Sequence, residues 1–242
     1  MARGASPQRQ LAHEEISPTN IAEYVTIFFS SGLDTVVVAE LKGRMSQDPI
    51  HLTSMTDGST RAAGDSLEAR IKKELPGILA GTGYEYRGDF GRKAMQDLEL
   101  FGGDSRYLVD VKSWRRSTDW GAPNLTSVAR LADLYEDPNA FFTILMVHYD
   151  VCDSILVNLD LQFLLIEWID WTSLKIGALG KRQIQIKDSA KLATTRGRLR
   201  TSWLEDLYTR TLQFYDAEKH RIDERAHDFQ SRVAVLRPRA PG

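Results

Sequence analysis

Asp97, Asp110 and Lys112 are the residues of this chain whose types and spacing could do chemistry together. Residues 106–114 read Arg-Tyr-Leu-Val-Asp-Val-Lys-Ser-Trp, a Val-rich run suited to an extended strand. Side chains in a strand alternate between faces, so Leu108, Asp110, Lys112 and Trp114 share one face. Tyr107, Val109, Val111 and Ser113 share the other. Residues 95–101 also read as a strand, and Gly102-Gly103-Asp104-Ser105 between the two is a turn signal. Folded as a hairpin, the two strands bring Asp97 and Asp110 to adjacent positions. Burying charge is costly unless it is paired or holds a metal. Two carboxylates and an ammonium suit a divalent ion that activates water against a phosphodiester. Glu99 lies two residues after Asp97 on the same strand face and is a substitute ligand. The competing reading is a structural ion pair between Lys112 and Asp110 or Asp97.

An Asp, a spacer and then Asp-x-Lys at the end of a hydrophobic strand resembles the PD-(D/E)xK nuclease superfamily. With about 240 residues and no fused motor, the chain looks most like a type II restriction endonuclease. The resemblance rests on Asp97, Asp110 and Lys112, with Glu68 on an upstream helix as a fourth member. The chain departs from the pattern at Gln96, where the family often has proline. The resemblance implies a mixed central β-sheet flanked by helices and a Mg²⁺ ion held by Asp97, Asp110 and the carbonyl of Val111. It places Lys112 beside the attacking water, and gives Glu68 a metal or a water to hold. It further implies double-stranded DNA as substrate, sequence-specific cutting in a restriction-modification setting, and a homodimer. A repair or junction-resolving nuclease is the nearest enzyme alternative. A DNA-binding or interaction module with structural carboxylates is the rival from another class.

The elements that must position these residues follow in chain order. Residues 1–15 are expected to be mobile, one nuclease domain to fill 16–235, and 236–242 to fray. Ser17-Pro18-Thr19-Asn20 opens a first helix, and residues 21–29 and 33–45 are apolar-rich helical segments. A loop follows over 48–64. Asp65 caps the next helix with Glu68 three residues on, as in a capping box, and Pro76-Gly77 ends it. Residues 84–90, 95–101 and 107–114 form a three-stranded meander. Asn124 caps a helix running to about Glu136. Residues 141–151 are an apolar central strand, so strand, helix and strand make a crossover and part of the sheet is parallel. Strands over 154–160 and 182–187 follow. Ser202-Trp-Leu-Glu205 opens a long helix with Leu204, Leu207, Tyr208, Thr211, Leu212 and Tyr215 on one face.

Charge is distributed unevenly although the net is only −2. Residues 131–170 hold eight acids and no Lys or Arg, whereas 181–200 hold seven bases against Asp188 alone. That asymmetry suits one face for an anionic partner. Two segments are candidate DNA contacts. The first leaves directly from the proposed site and offers Arg115, Arg116, Ser117, Thr118 and Asn124. The second offers Lys187, Lys191, Arg196 and Arg198 interleaved with Ser, Thr and Gly. Gln183 and Gln185 share a strand face and could read adenine. The five histidines lack metal-ligand spacing, and no phosphate-binding loop follows a strand, so no nucleotide cofactor is expected. Cys152 is the only cysteine, which fits a reducing cytoplasm and leaves no Cys-rich zinc site. No apolar run is long enough to span a bilayer, and residues 1–13 lack a secretory core.

Overall fold

The computed structural model describes residues 27–91, 94–118, 123–177, 182–188 and 191–236. The expectations for residues 1–15, for Ser17 to Asn20 and for 237–242 lie outside these. The chain is α/β, with a mixed five-stranded central sheet flanked by helices. β1 (Glu85–Arg87), β2 (Leu98–Gly102) and β3 (Ser105–Arg115) form the antiparallel meander expected from their turn residues. β3 then pairs in parallel with β5 (Ala140–Cys152), and β5 pairs antiparallel with β6 (Ile155–Leu165). The two-residue turn between β5 and β6 places Asp153 and Ser154 at φ 49° and 61°. Two successive positive φ values are what a tight hairpin of this hand requires.

The connection from β3 to β5 differs from the helix expected at Asn124. Asn124–Ser127 is a strand, β4, paired with β8 (Gln183–Ile186), which in turn pairs with β7 (Leu174–Gly177). Ser127, not Asn124, caps the helix α4 (Val128–Leu134), accepting a hydrogen bond from the Arg130 amide. Pairing with β8, some sixty residues downstream, overrides the local capping preference. The crossover still runs strand, helix, strand, so β3 and β5 are parallel.

Helices α1 (Ile27–Ser30), α2 (Leu33–Gln47) and α3 (Thr60–Leu79) cover one face of the sheet. Helix α3 begins five residues earlier than its Asp65 signal, because the Ser59 hydroxyl accepts the Ala62 amide and caps it there. Asp65 instead lies within the helix, 4.0 Å from Arg61. Pro76 stands in the last turn without ending the helix, since a missing N–H there forfeits only one internal bond. Ala63, Leu67, Ile71, Leu75 and Leu79 recur every fourth residue and are all buried against Val109, Val111 and Tyr107. Gly64 lets this helix approach closely, since a Cβ there would stand 2.7 Å from the Ser113 hydroxyl. Ile71→Ala is expected to cost about 2–5 kcal/mol. It should read as a lower urea midpoint at unchanged slope, and a cost below about 1 kcal/mol would place Ile71 outside the core.

The opposite face is packed by a second apolar cluster from α4, β7, β8 and the start of α5 (Arg200–Leu236). Trp203 is fully buried there, stacked on Trp171 at 4.9 Å, and its indole donates to the Ile169 carbonyl. The helix begins two residues before its Ser202 signal. Among the described residues no helix is long and apolar enough to cross a membrane.

Candidate active site

The β2–β3 ladder puts Leu98 opposite Val109 and Glu99 opposite Leu108. One step further the Asp97 amide donates to the Val109 carbonyl at 2.9 Å. There the backbone ladder stops. The Val111 amide, next in line, donates to Asp97 Oδ2 at 2.8 Å. A strand residue's N–H and C=O point to the same side, so the Val111 carbonyl also points to the edge where Asp97 sits.

Asp110 faces the second apolar cluster together with Leu108 and Trp114, and is only 6% exposed. Its Oδ1 accepts from Lys112 Nζ at 2.7 Å. Its Oδ2 is buried and receives no donor among the described residues. Asp97 stands close enough to interact with it by charge and by hydrogen bonding. Burial pushes the Asp110 carboxyl up to about 7, Lys112 partly offsets this, and Asp97 raises it further. The hairpin register thus brings Asp97 next to Asp110, the adjacent placement expected from the sequence, with Lys112 on the same strand face as Asp110.

That shift has a consequence for stability. A carboxyl raised in the fold binds its proton more tightly than in the unfolded chain. Its contribution is full below the ordinary carboxylate range and is lost as pH rises through about 7. Wild type should therefore lose stability relative to Asp110→Asn between about pH 5 and about pH 8, by roughly 1–4 kcal/mol in metal-free buffer. Parallel denaturation curves at the two pH values check it; a constant difference would mean that Asp110 is hydrated.

Glu68 is not brought to this group. It projects from α3, on the far side of the sheet, and pairs with Lys72 at 2.6 Å one turn along the helix. Asp110 faces away from α3, so the strand alternation that unites Asp110 with Lys112 separates both from Glu68. Glu99 is likewise spoken for. It is 2% exposed and held by Arg87 and by Arg106, the latter at 3.1 Å. Among the described residues no three His, Cys, Asp or Glu side chains cluster as a metal site. Asp97, Asp110 and the Val111 carbonyl are the oxygen ligands at hand, which fits Mg²⁺, an ion commonly bound by one or two carboxylates with waters and substrate phosphate.

The expected DNA contacts divide. Arg116 lies in the turn just after β3, is exposed, and bonds Asp150 Oδ2 at 3.1 Å and the Asn158 carbonyl at 2.7 Å. Ser117 is exposed beside it, and Thr118 donates back to the Arg115 carbonyl at 2.9 Å. Lys187 is exposed near the Trp171 and Thr172 carbonyls, and Lys191 is exposed with Asp188 at 3.9 Å. The other basic candidates pair within the fold, although the Arg196 side chain stays 58% exposed. Arg115 turns to the opposite face and donates to the Asp57 carbonyl. Arg196 joins Asp34 at 2.9 Å and lies over Trp168. Arg198 bridges Asp170 and Asp206. Asn124 accepts from Gln185 at 2.6 Å, and Gln185 is buried, which removes it as a base reader.

One neighbour went unremarked in the sequence. His148 lies on β5 directly beside Trp114, their rings 6.1 Å apart, on the face that carries Asp110 and Lys112. Burial, then Arg116, lowers its pKa, so it is neutral near pH 7. Only the parallel register of β3 and β5 reveals this, because the two residues are more than thirty positions apart. Comparison with known protein families finds no family model that matches this chain, and a search of curated proteins finds no match.

Proposed function

We propose that this chain is a Mg²⁺-dependent endonuclease of restriction-endonuclease-like fold that hydrolyses double-stranded DNA at specific sequences. The observation that carries the reading is the meeting of Asp97, Asp110 and Lys112 where the β2–β3 ladder ends, with a buried Asp110 oxygen that receives no donor among the described residues. A buried carboxylate oxygen without a donor is costly, and a cation meets that cost.

Asp97, Asp110 and the Val111 carbonyl would hold Mg²⁺, which when bound acidifies a water and stabilises charge on phosphate oxygens. The Val111 amide fixes the Asp97 carboxylate by holding Oδ2. Lys112, tethered to Asp110, presents its ammonium to negative charge developing on the phosphorus oxygens. Arg116, Ser117, Lys187 and Lys191 are the exposed groups that would meet the DNA backbone. A two-fold homodimer would cut both strands of a palindrome, each subunit reading one half-site. The reading assigns the protein to the cytoplasm, within a restriction-modification pair.

The Asp110–Lys112 contact at 2.7 Å and the lack of a third carboxylate among the described residues favour one rival, a structural ion pair in a DNA-binding or interaction module. Duplex DNA in Ca²⁺ separates them. The nuclease reading expects a shifted complex without cutting, then cleavage when Mg²⁺ replaces Ca²⁺. Binding that ignores the metal, with no cleavage, supports the rival.

A further inference from the structure

Helix α5 is 37 residues, about 55 Å long, and only its first turns are seated in the body. Trp203 and Leu207 are buried, and Arg210 lies over Trp171. Phe214, Ala217 and Arg221 still line a shallow cavity with Trp171, Leu174 and Ile176. From there to Arg232 every residue is exposed, on all sides of the helix. A helix in that position ordinarily carries a wholly polar surface. This one does not.

Leu212, Tyr215, Ile222, Ala226, Phe229 and Val233 follow one another at the alternating three- and four-residue spacing of a coiled-coil seam, with Lys219 completing the series. Tyr208 stands one seam step before Leu212. Tyr208, Ile222 and Phe229 are 67%, 60% and 67% exposed, and Leu212 and Tyr215 are exposed too. Among the described residues, five of the eight exposed large hydrophobics of the chain lie on this stripe. A spacing of 3.5 residues, held over three turns and more, keeps a stripe facing a second helix as the two wind left-handedly.

We propose that this stripe is a self-association surface, on which α5 of a second copy packs antiparallel as a two-stranded coiled coil. Charge on the flanks of the seam selects the occupant and the direction. One side of the seam carries Asp216 and Asp223, and the other carries Glu218, Arg225 and Arg232. In an antiparallel pair like sides face each other, so Glu218 of each copy meets Arg225 of the other and offsets Asp216 meeting Asp223. In a parallel pair unlike sides face, which sets Glu218 against Asp223 with no opposite-sign pair in exchange. Within one chain these groups make only exposed pairs one turn apart, Arg221 with Glu218 and Arg232 with Asp228, which are weak and can exchange. Lys219, the one charged seam residue, costs some stability and fixes register. The surface deepens the two-subunit part of the nuclease reading, yet it depends on nothing at Asp110.

Sedimentation velocity of the full chain tests it, with an Ile222→Glu, Phe229→Glu double variant beside the wild type. The wild type is expected to run as a dimer that weakens with salt. The variant should run as a monomer with unchanged circular dichroism at its folded baseline, since Ile222 and Phe229 are both more than half exposed. A spin label at Ser231→Cys in a Cys152→Ser background reads the direction. Antiparallel pairing sets the two labels about 30 Å apart, whereas parallel pairing sets them side by side. A monomeric wild type overturns the proposal and leaves the stripe for a different protein. A dimer that survives in the double variant overturns it as well, and a short label distance overturns the antiparallel arrangement. None of these outcomes touches the chemistry assigned to Asp97, Asp110 and Lys112, and loss of that chemistry leaves the association unchanged.

Discussion

Asp110→Ala is expected to abolish Mg²⁺-dependent DNA cleavage, by about 1,000-fold or more, the upper range for removing one charge-stabilising group. The expectation follows from position: Asp110 lies between Lys112 and Asp97 and contributes a buried oxygen that receives no donor among the described residues. Stability moves the other way. Burial alone makes the ionised carboxylate unfavourable in the metal-free fold, so its removal should leave the melting temperature level or raise it above neutral pH. A pair kept for structure behaves differently, because breaking a buried ion pair costs about 3–5 kcal/mol. Cleavage rates and a thermal melt on the same variant separate the two. Full activity in Mg²⁺ would remove Asp110 from the chemistry.

Lys112→Ala is expected to lower the cleavage rate by at least about 100-fold while changing DNA affinity much less. Lys112 keeps about a quarter of its side chain exposed, so it can reach a phosphate at the surface without first leaving a sealed core. Among the described residues it is the one cation bonded to Asp110, so its loss should raise the Asp110 pKa further and demand more Mg²⁺ at a given pH. The checks are single-turnover cleavage at saturating DNA and a Mg²⁺ titration at two pH values. Lost binding together with early melting would make Lys112 a structural partner.

Much of the site was legible because it is local. Period-two alternation placed Asp110 with Lys112, and a glycine-rich turn fixed the register that sets Asp97 beside them. The parallel pairing of β3 with β5 followed from the length of the intervening connection. What was not legible depends on partners far away in sequence. The pairing of Arg196 with Asp34, 162 residues away, is one such contact, and it leaves the Arg196 side chain largely exposed. Asn124 reads as a helix cap until β8 draws its segment into a sheet. Glu68 sits three residues after an acceptable capping residue, but Ser59 starts the helix earlier and the helix packs on the other side of the sheet from Asp110. The charged end of α5 hid its own pattern, since Tyr215, Ile222 and Phe229 recur at seven-residue intervals within a mostly charged run.

The most direct test incubates the purified protein with plasmid DNA in Mg²⁺ and maps the ends of any fragments, with a chelator control and Asp110→Asn alongside. A Mg²⁺-dependent phosphodiesterase that reads sequence gives discrete fragments whose ends share one recurring sequence, and gives none with the chelator or the variant. Intact plasmid under every condition, or cutting that Asp110→Asn performs as well as the wild type, would contradict the assignment of Asp97, Asp110 and Lys112 as a nuclease site.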